Sequence, residues 1–278
     1  MFMMPHVFDR ATALAPSPSA PGRYSGATSP DYWNMVGPFG GATAAILLRA
    51  VLAHPALLGT PIALTVNYAA AIEAGACEVR ATPVRTNRST QHWTIELTQP
   101  GPDGAPLVST TATVVTAARR ETWSLTDLAM PAVPSPADVT RLPPLRGGVV
   151  WFGHYEMRPI SGGLPAQWDG GGSHSESLLW LRDAAPRALD FASLAAMSDV
   201  FYPRIWLRRA TRVPAGTVSI TTYFHANAAQ LADVGTGYLL GRAVAQQFSN
   251  GFFDQAAQLW SEAGVLLATS SQIVYFKE

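Results

Sequence analysis

Lysine is almost missing from this chain. Lys277 is the only one, so nearly all of the nineteen basic residues are arginines. The skew is compositional, but the total is informative. Nineteen acidic residues balance the nineteen basic ones, and a net charge of zero gives no electrostatic footprint for a nucleic acid or an anionic membrane. Cysteine is as scarce. A single Cys77 excludes an internal disulfide, fits a reducing compartment, and is best taken as a small apolar filler. No apolar run is long enough to span a bilayer, and the opening MFMMPHVFDR lacks the hydrophobic region of a signal peptide, so a cytoplasmic location is expected. The six histidines lie far apart without paired ligand spacing, which argues against a zinc or iron site. No GxSxG elbow is present, so a serine-hydrolase route has no support.

What is there suits one large or two ordinary folded domains: 278 residues, 48% hydrophobic and 14% charged. The first 21 residues read as irregular, with a short strand possible over 22–28. A Gly/Pro turn then leads into an apolar helix over about 41–54, small in its first turn (Gly41, Ala42, Ala44, Ala45) and bulky later (Ile46, Leu47, Leu48, Leu52). Strand-like segments follow from Ala63, Cys77 and Thr90, and PGPDG turns the chain into another from Pro106. Five prolines between Pro131 and Pro144 mark a linker.

The second half repeats this plan. Its helix is expected over 189–206, LDFASLAAMSDVFYPRIW, with Leu194, Met197 and Phe201 at helical spacing. Ala192, Ala195 and Ala196 give one face small enough for close approach. The helix has almost no polar side and, past Asp190 at its very start, carries one carboxylate, Asp199, which is unfavourable in such surroundings unless it is hydrogen-bonded or paired. The strand from Thr217, TVSITTYFHAN, sits opposite ALTVNYAA of the first half, and the last strand opposite the one from Pro106. This predicts a duplicated α+β fold: an N-terminal unit over 1–130, a linker over 131–146, and a C-terminal unit over 147–278. Each unit is a curved antiparallel sheet wrapped around a long apolar helix, and edge-to-edge joining would remove two exposed strand edges.

Taken together, WNMVGPFGGATAAILLRAVL, LTVNYAA, VRTNRSTQHWTIELTQ, LDFASLAAMSDVFYPRIW, TVSITTYFHAN and LLATSSQ resemble the acyl-CoA thioesterase II family, in order and in both halves. The resemblance implies a tandem double hotdog and hydrolysis of an acyl-CoA to free fatty acid and CoA. It implies no metal and no cofactor, CoA being part of the substrate. It also implies a catalytic trio in the second half: Asp199 in MSDVF, Thr217 at the head of TVSITTYFH, and Gln272 in ATSSQ. One departure is Ser219, where relatives carry an Asp two residues after the Thr, so one charge fewer is expected near the site.

Each residue has a chemical role to offer. Asp199 is the candidate base, and general-base help is typically worth about 10²- to 10⁴-fold. Thr217 can accept and donate, holding a water against it; by strict alternation it shares a face with Ser219, Thr221, Tyr223 and His225. Gln272 can orient the same water or donate to the oxyanion. Backbone amides at Gly40 and Gly41 are a second candidate oxyanion hole, since helix N-termini favour negative charge. Arg88, in the turn TNRS, is a candidate partner for a CoA phosphate, with a solvated turn arginine as the alternative. Gly170 to Gly172 read as a plain turn, and His225 as a structural core histidine. Two other functions stay open: a non-catalytic acyl-CoA-binding module, and a hydratase or dehydratase, which would need an Asp and His pair over one site. Edge strands and apolar faces left by such a fold predict a homo-oligomer.

Overall fold

The computed structural model describes residues 4–143 and 149–278. The end of the expected linker, at 144–146, and the start of the expected second unit, at 147–148, lie outside them.

The opening residues are not irregular throughout. They hold a short helix, α1 (Val7–Ala11), whose first turn His6 caps through its ring. Phe8 fixes it by full burial. After the two-residue β1 (Ala15–Pro16) and β2 (Arg23–Ala27) comes the apolar helix α2 (Gly40–Leu52), and then β3 (Thr60–Tyr68), β4 (Ala76–Thr86), β5 (Thr90–Pro100) and β6 (Pro106–Ala117). In β4 and β5 every second residue is buried, notably Val79, Ala81, Trp93, Ile95 and Leu97. That period of two puts one face on α2 and the other in solvent.

The second half supplies β7 (Tyr155–Ser161), β8 (Ser177–Asp183), helices α3 (Phe191–Met197) and α4 (Arg204–Arg209), β9 (Ala215–Phe224) and α5 (Ala228–Val234). It closes with β10 (Leu239–Val244), the short β11 (Phe248–Ser249), β12 (Phe252–Ser261) and β13 (Leu266–Phe276). The single helix expected over 189–206 is broken. A capping box between Asp190 and Ser193 starts α3. Pro203 prevents its continuation, because the ring would clash with the carbonyl of Asp199 and pushes Tyr202 out of the helical region. The chain therefore turns at Ser198 and Asp199 and restarts as α4.

The two expected sheets are one continuous ladder in the order β1-β2-β4-β5-β6-β3-β9-β13-β12-β10-β8-β7, with β11 hung on β12. The central seam is the antiparallel pair β3–β9, from Ala63 opposite Tyr223 to Asn67 opposite Ser219. Each side of the seam follows the same sequence of neighbours, which is the internal repeat made physical. The seam carries side-chain bonds between Thr65 and Thr221 and from Ser219 to Asn67, both 2.9 Å.

Helices α2 and α3 pack on each other inside this sheet. A Cβ on Gly41 would lie 2.5 Å from the carbonyl of Ala196, so only glycine permits that crossing. The described part of the proline-rich segment, 131–143, holds no regular strand or long helix and is docked on the second half. The Trp180 indole donates to Pro134 O over 2.9 Å, and Arg158 reaches the carbonyls of Pro136 and Val139.

Candidate active site

Asp199 occupies the turn that ends α3, with its amide bonded back to Ala196 O at 3.1 Å. The turn delivers the carboxylate to the first residues of α2, a helix with no side-chain cap of its own. The Gly41 amide is directed at the carboxylate. An anion at a helix N-terminus meets unsatisfied N–H groups and the positive end of the helix dipole, which satisfies both partners. The approach is close: a Cβ on Gly40 would sit 2.7 Å from Asp199 Oδ2.

The Gln272 side-chain amide donates to Asp199 Oδ1 over 2.9 Å, and its oxygen accepts from Thr217 Oγ1 at 3.3 Å. The order of this relay follows from the donor inventory. An ionised carboxylate only accepts, so the Gln272 nitrogen must face it; the oxygen then faces Thr217, whose hydroxyl must donate. The Thr217 lone pairs remain free to accept.

Thr217 reaches this position through a β-bulge. Ser219 pairs with Ile273 and Thr217 with Val274, which leaves Val218 as the extra residue. One added residue reverses the side-chain alternation. Thr217 therefore points inward with Ile220 and Gln272, not outward with Ser219 and Thr221 as strict alternation predicts. Ser219 lies on the opposite face, bonded to Asn67, so it takes no charge from the site. His225, expected in the core, is exposed and bonded to Thr269 Oγ1.

The trio opens on a cavity of about 490 Å³. Its walls are largely apolar and aromatic, including Phe39 and Trp151, stacked at 4.1 Å, with Phe201, Tyr202 and Trp206. Asp199 is the one ionisable carboxylate in its lining, and no lysine, arginine or histidine among the described residues joins it. Burial pushes the Asp199 carboxyl up to about 7, against the opposing hydrogen bond from Gln272 and the nearby Gly41 amide.

Of the residues predicted from sequence, Asp199, Thr217, Gln272 and Gly40 meet at the cavity, and Gly41 stands just behind it. Arg88 does not. It is exposed in the turn between β4 and β5, beside the end of the sheet that holds Thr60, whereas the cavity lies at the other end of β3, by Tyr68. Gly170 has a positive φ and Gly172 packs on the carbonyl of Leu207, which is a turn and no phosphate cradle. Two cavity residues were missed. Tyr68 donates its hydroxyl to Gly40 O over 2.7 Å, with no local sequence signal. Gln255, 4% exposed and paired across the ladder with Gln272, had one: it is a polar residue on the inward period of FFDQAAQLW. Among the described residues no cluster of His, Cys, Asp or Glu could hold a metal ion, and no helix is long and apolar enough to cross a membrane.

Comparison with known proteins gives consistent matches. Residues 29–117 match the model of the acyl-CoA thioesterase N-terminal domain, and residues 127–276 that of the C-terminal domain. A conserved protein of unknown function with hot dog fold from Alicyclobacillus acidocaldarius is 45% identical, covers 99% of both chains and superposes with a TM-score of 0.91. A putative thioesterase II from Thermobifida fusca shares 20% identity over 98% of each chain, TM-score 0.79. An acyl-CoA thioesterase II from Mycobacterium marinum shares 18% over 98% of each, TM-score 0.74. No curated protein matches the chain.

Proposed function

The chain belongs to the acyl-CoA thioesterase family, and on that premise we propose that it hydrolyses acyl-CoA thioesters, with Asp199, Thr217 and Gln272 activating water. The observation that carries this reading is the relay from Thr217 through Gln272 to Asp199 at the wall of a largely apolar cavity. We read the architecture as a double hotdog whose two sheets are fused along β3 and β9.

In this mechanism the acyl chain lies against the aromatic walls and places its thioester carbonyl over the trio. A water accepted by Thr217 and Asp199 transfers a proton to the carboxylate as its oxygen bonds to the carbonyl carbon. The C–S bond then breaks, and the thiolate leaves with that proton as CoA–SH. A base titrating near neutrality suits this task, because its ionised fraction and its basicity are both substantial there. In this reading the second N–H of Gln272 donates to the oxyanion; losing one such donor typically costs about 10²- to 10³-fold in rate. A hydratase would need a histidine beside the carboxylate, and none lines the cavity among the described residues.

The test is thiol release from short, medium, long and aromatic acyl-CoAs, wild type beside Asp199→Asn. Turnover lost in the variant supports the reading and names the preferred chain. Wild-type turnover retained by the variant on every ester removes Asp199 as the base. No turnover combined with stabilisation by acyl-CoA leaves a binding module.

A further inference from the structure

Among the described residues no lysine, arginine or histidine lines the cavity, yet a CoA ester brings three phosphate groups. Arg88 is at the wrong end of the sheet to meet them. One part of the cavity wall does lead to positive charge. Trp206 lines the cavity and belongs to α4, whose last turn carries Arg208 and Arg209. The chain then passes through Arg212 and returns to the cavity at Ala215, Gly216 and Thr217. Thr217 is the fifth residue after Arg212, so their Cα atoms are at most roughly 18 Å apart. An extended pantetheine arm, comparable to slightly more than four peptide residues, spans roughly 14–16 Å from thioester sulfur to diphosphate.

The arginines of this rim are held ready. The Arg212 guanidinium lies 4.5 Å over the ring of Trp168, which itself meets Trp206 edge-on at 6.0 Å. Arg208 donates to Gly172 O over 3.1 Å and keeps its other N–H groups. Two carboxylates stand near: Glu278, paired with Arg209, and Asp169, bonded to the Gly171 amide. Neither forms an ion pair with Arg208 or Arg212 in the described structure.

We propose that Arg208, in the last turn of α4, and Arg212, in the chain that leads from α4 back to the cavity, bind the phosphate-bearing nucleotide of CoA while the acyl chain occupies the cavity. The inference rests on the thioesterase reading above for its substrate. A guanidinium suits phosphate by its fork of donors, and stacking on Trp168 reduces what Arg212 loses on ordering. The rim makes the protein a reader of the whole CoA ester, not of the thioester alone.

The experiment compares one acyl group on CoA, on 3′-dephospho-CoA and on N-acetylcysteamine, for wild type and Arg208→Ala/Arg212→Ala. The preference for the CoA ester over the truncated ester should fall about tenfold or more, through KM and not kcat, and added salt should shrink the wild-type preference. Arg212→Lys should restore part of it. An unchanged preference overturns the proposal. Calorimetric titration of free CoA into both proteins keeps the tests apart. Weaker CoA binding by the variant supports the rim even where no ester is hydrolysed; equal binding with intact hydrolysis refutes the rim alone.

Discussion

The hydroxyl of Tyr68 donates to the carbonyl oxygen of Gly40 over 2.7 Å, and the other end of that same peptide unit, the Gly41 amide, is turned to Asp199. In a trans peptide C=O and N–H point in opposite directions, so one rigid unit links a tyrosine of the first half to a carboxylate of the second. Tyr68→Phe releases that unit. The carboxylate loses part of a donor, and its proton is held to higher pH. The rising limb of the kcat/KM profile should move upward, lowering activity about fivefold at pH 7 for a one-unit move, about tenfold well below it, and recovering at higher pH. A uniform loss at every pH would assign Tyr68 a packing role only.

Burial raises Asp199 to about 7, and the wild-type profile should follow its ionisation. Activity should rise about tenfold per pH unit below 7 and level off above it. A profile flat from pH 5 to 8 would contradict a base of this kind.

The same group sets a pH dependence of stability. The folded chain holds the Asp199 proton more tightly than the unfolded chain does. Its contribution is fully present below about pH 4 and is lost as pH rises through about 7, to a limit of about 4 kcal/mol. Asp199→Asn has no such titration. In thermal melts the variant should be more stable than wild type above pH 7, by several degrees, with the difference closing near pH 4. Equal Tm differences at both pH values would show that burial is not what perturbs the group.

Gly40→Ala places a methyl 2.7 Å from Asp199 Oδ2 and 3.1 Å from the Tyr68 hydroxyl. The carboxylate must then move off its donors. Thioester turnover should fall at least about 10²-fold, as a displacement of roughly an ångström typically causes, with the far-UV spectrum unchanged. Retained turnover would show that Asp199 works from another position.

The elements of this fold were legible because they obey two periods. The strands from Ala63, Cys77, Thr90 and Pro106 and the helix near Gly41 fall within a few residues of their predicted bounds, since burial of one face enforces alternation or helical spacing. The break after Met197 was also written in the sequence, as Pro203, but the apolar run around it masked the signal. The site was legible only through resemblance. Thr217 faces the cavity because of an extra residue at Val218, and no local pattern announces a bulge. Tyr68 and Gly40 become partners through the packing of strand on helix, a long-range fact. Arg208 and Arg212 carry no local sequence pattern that singles them out, because only the fold brings the chain after Trp206 back to the cavity.

The seam of β3 and β9 has a consequence for how the chain is made. The first of these strands is complete long before the second is synthesised, so a nascent first half presents an open edge of nine residues to its surroundings. Such an edge is a template for pairing with any extended chain. The second half is thus also the first half's protection against aggregation. Cut apart, each half should precipitate alone and become soluble when the two are refolded together.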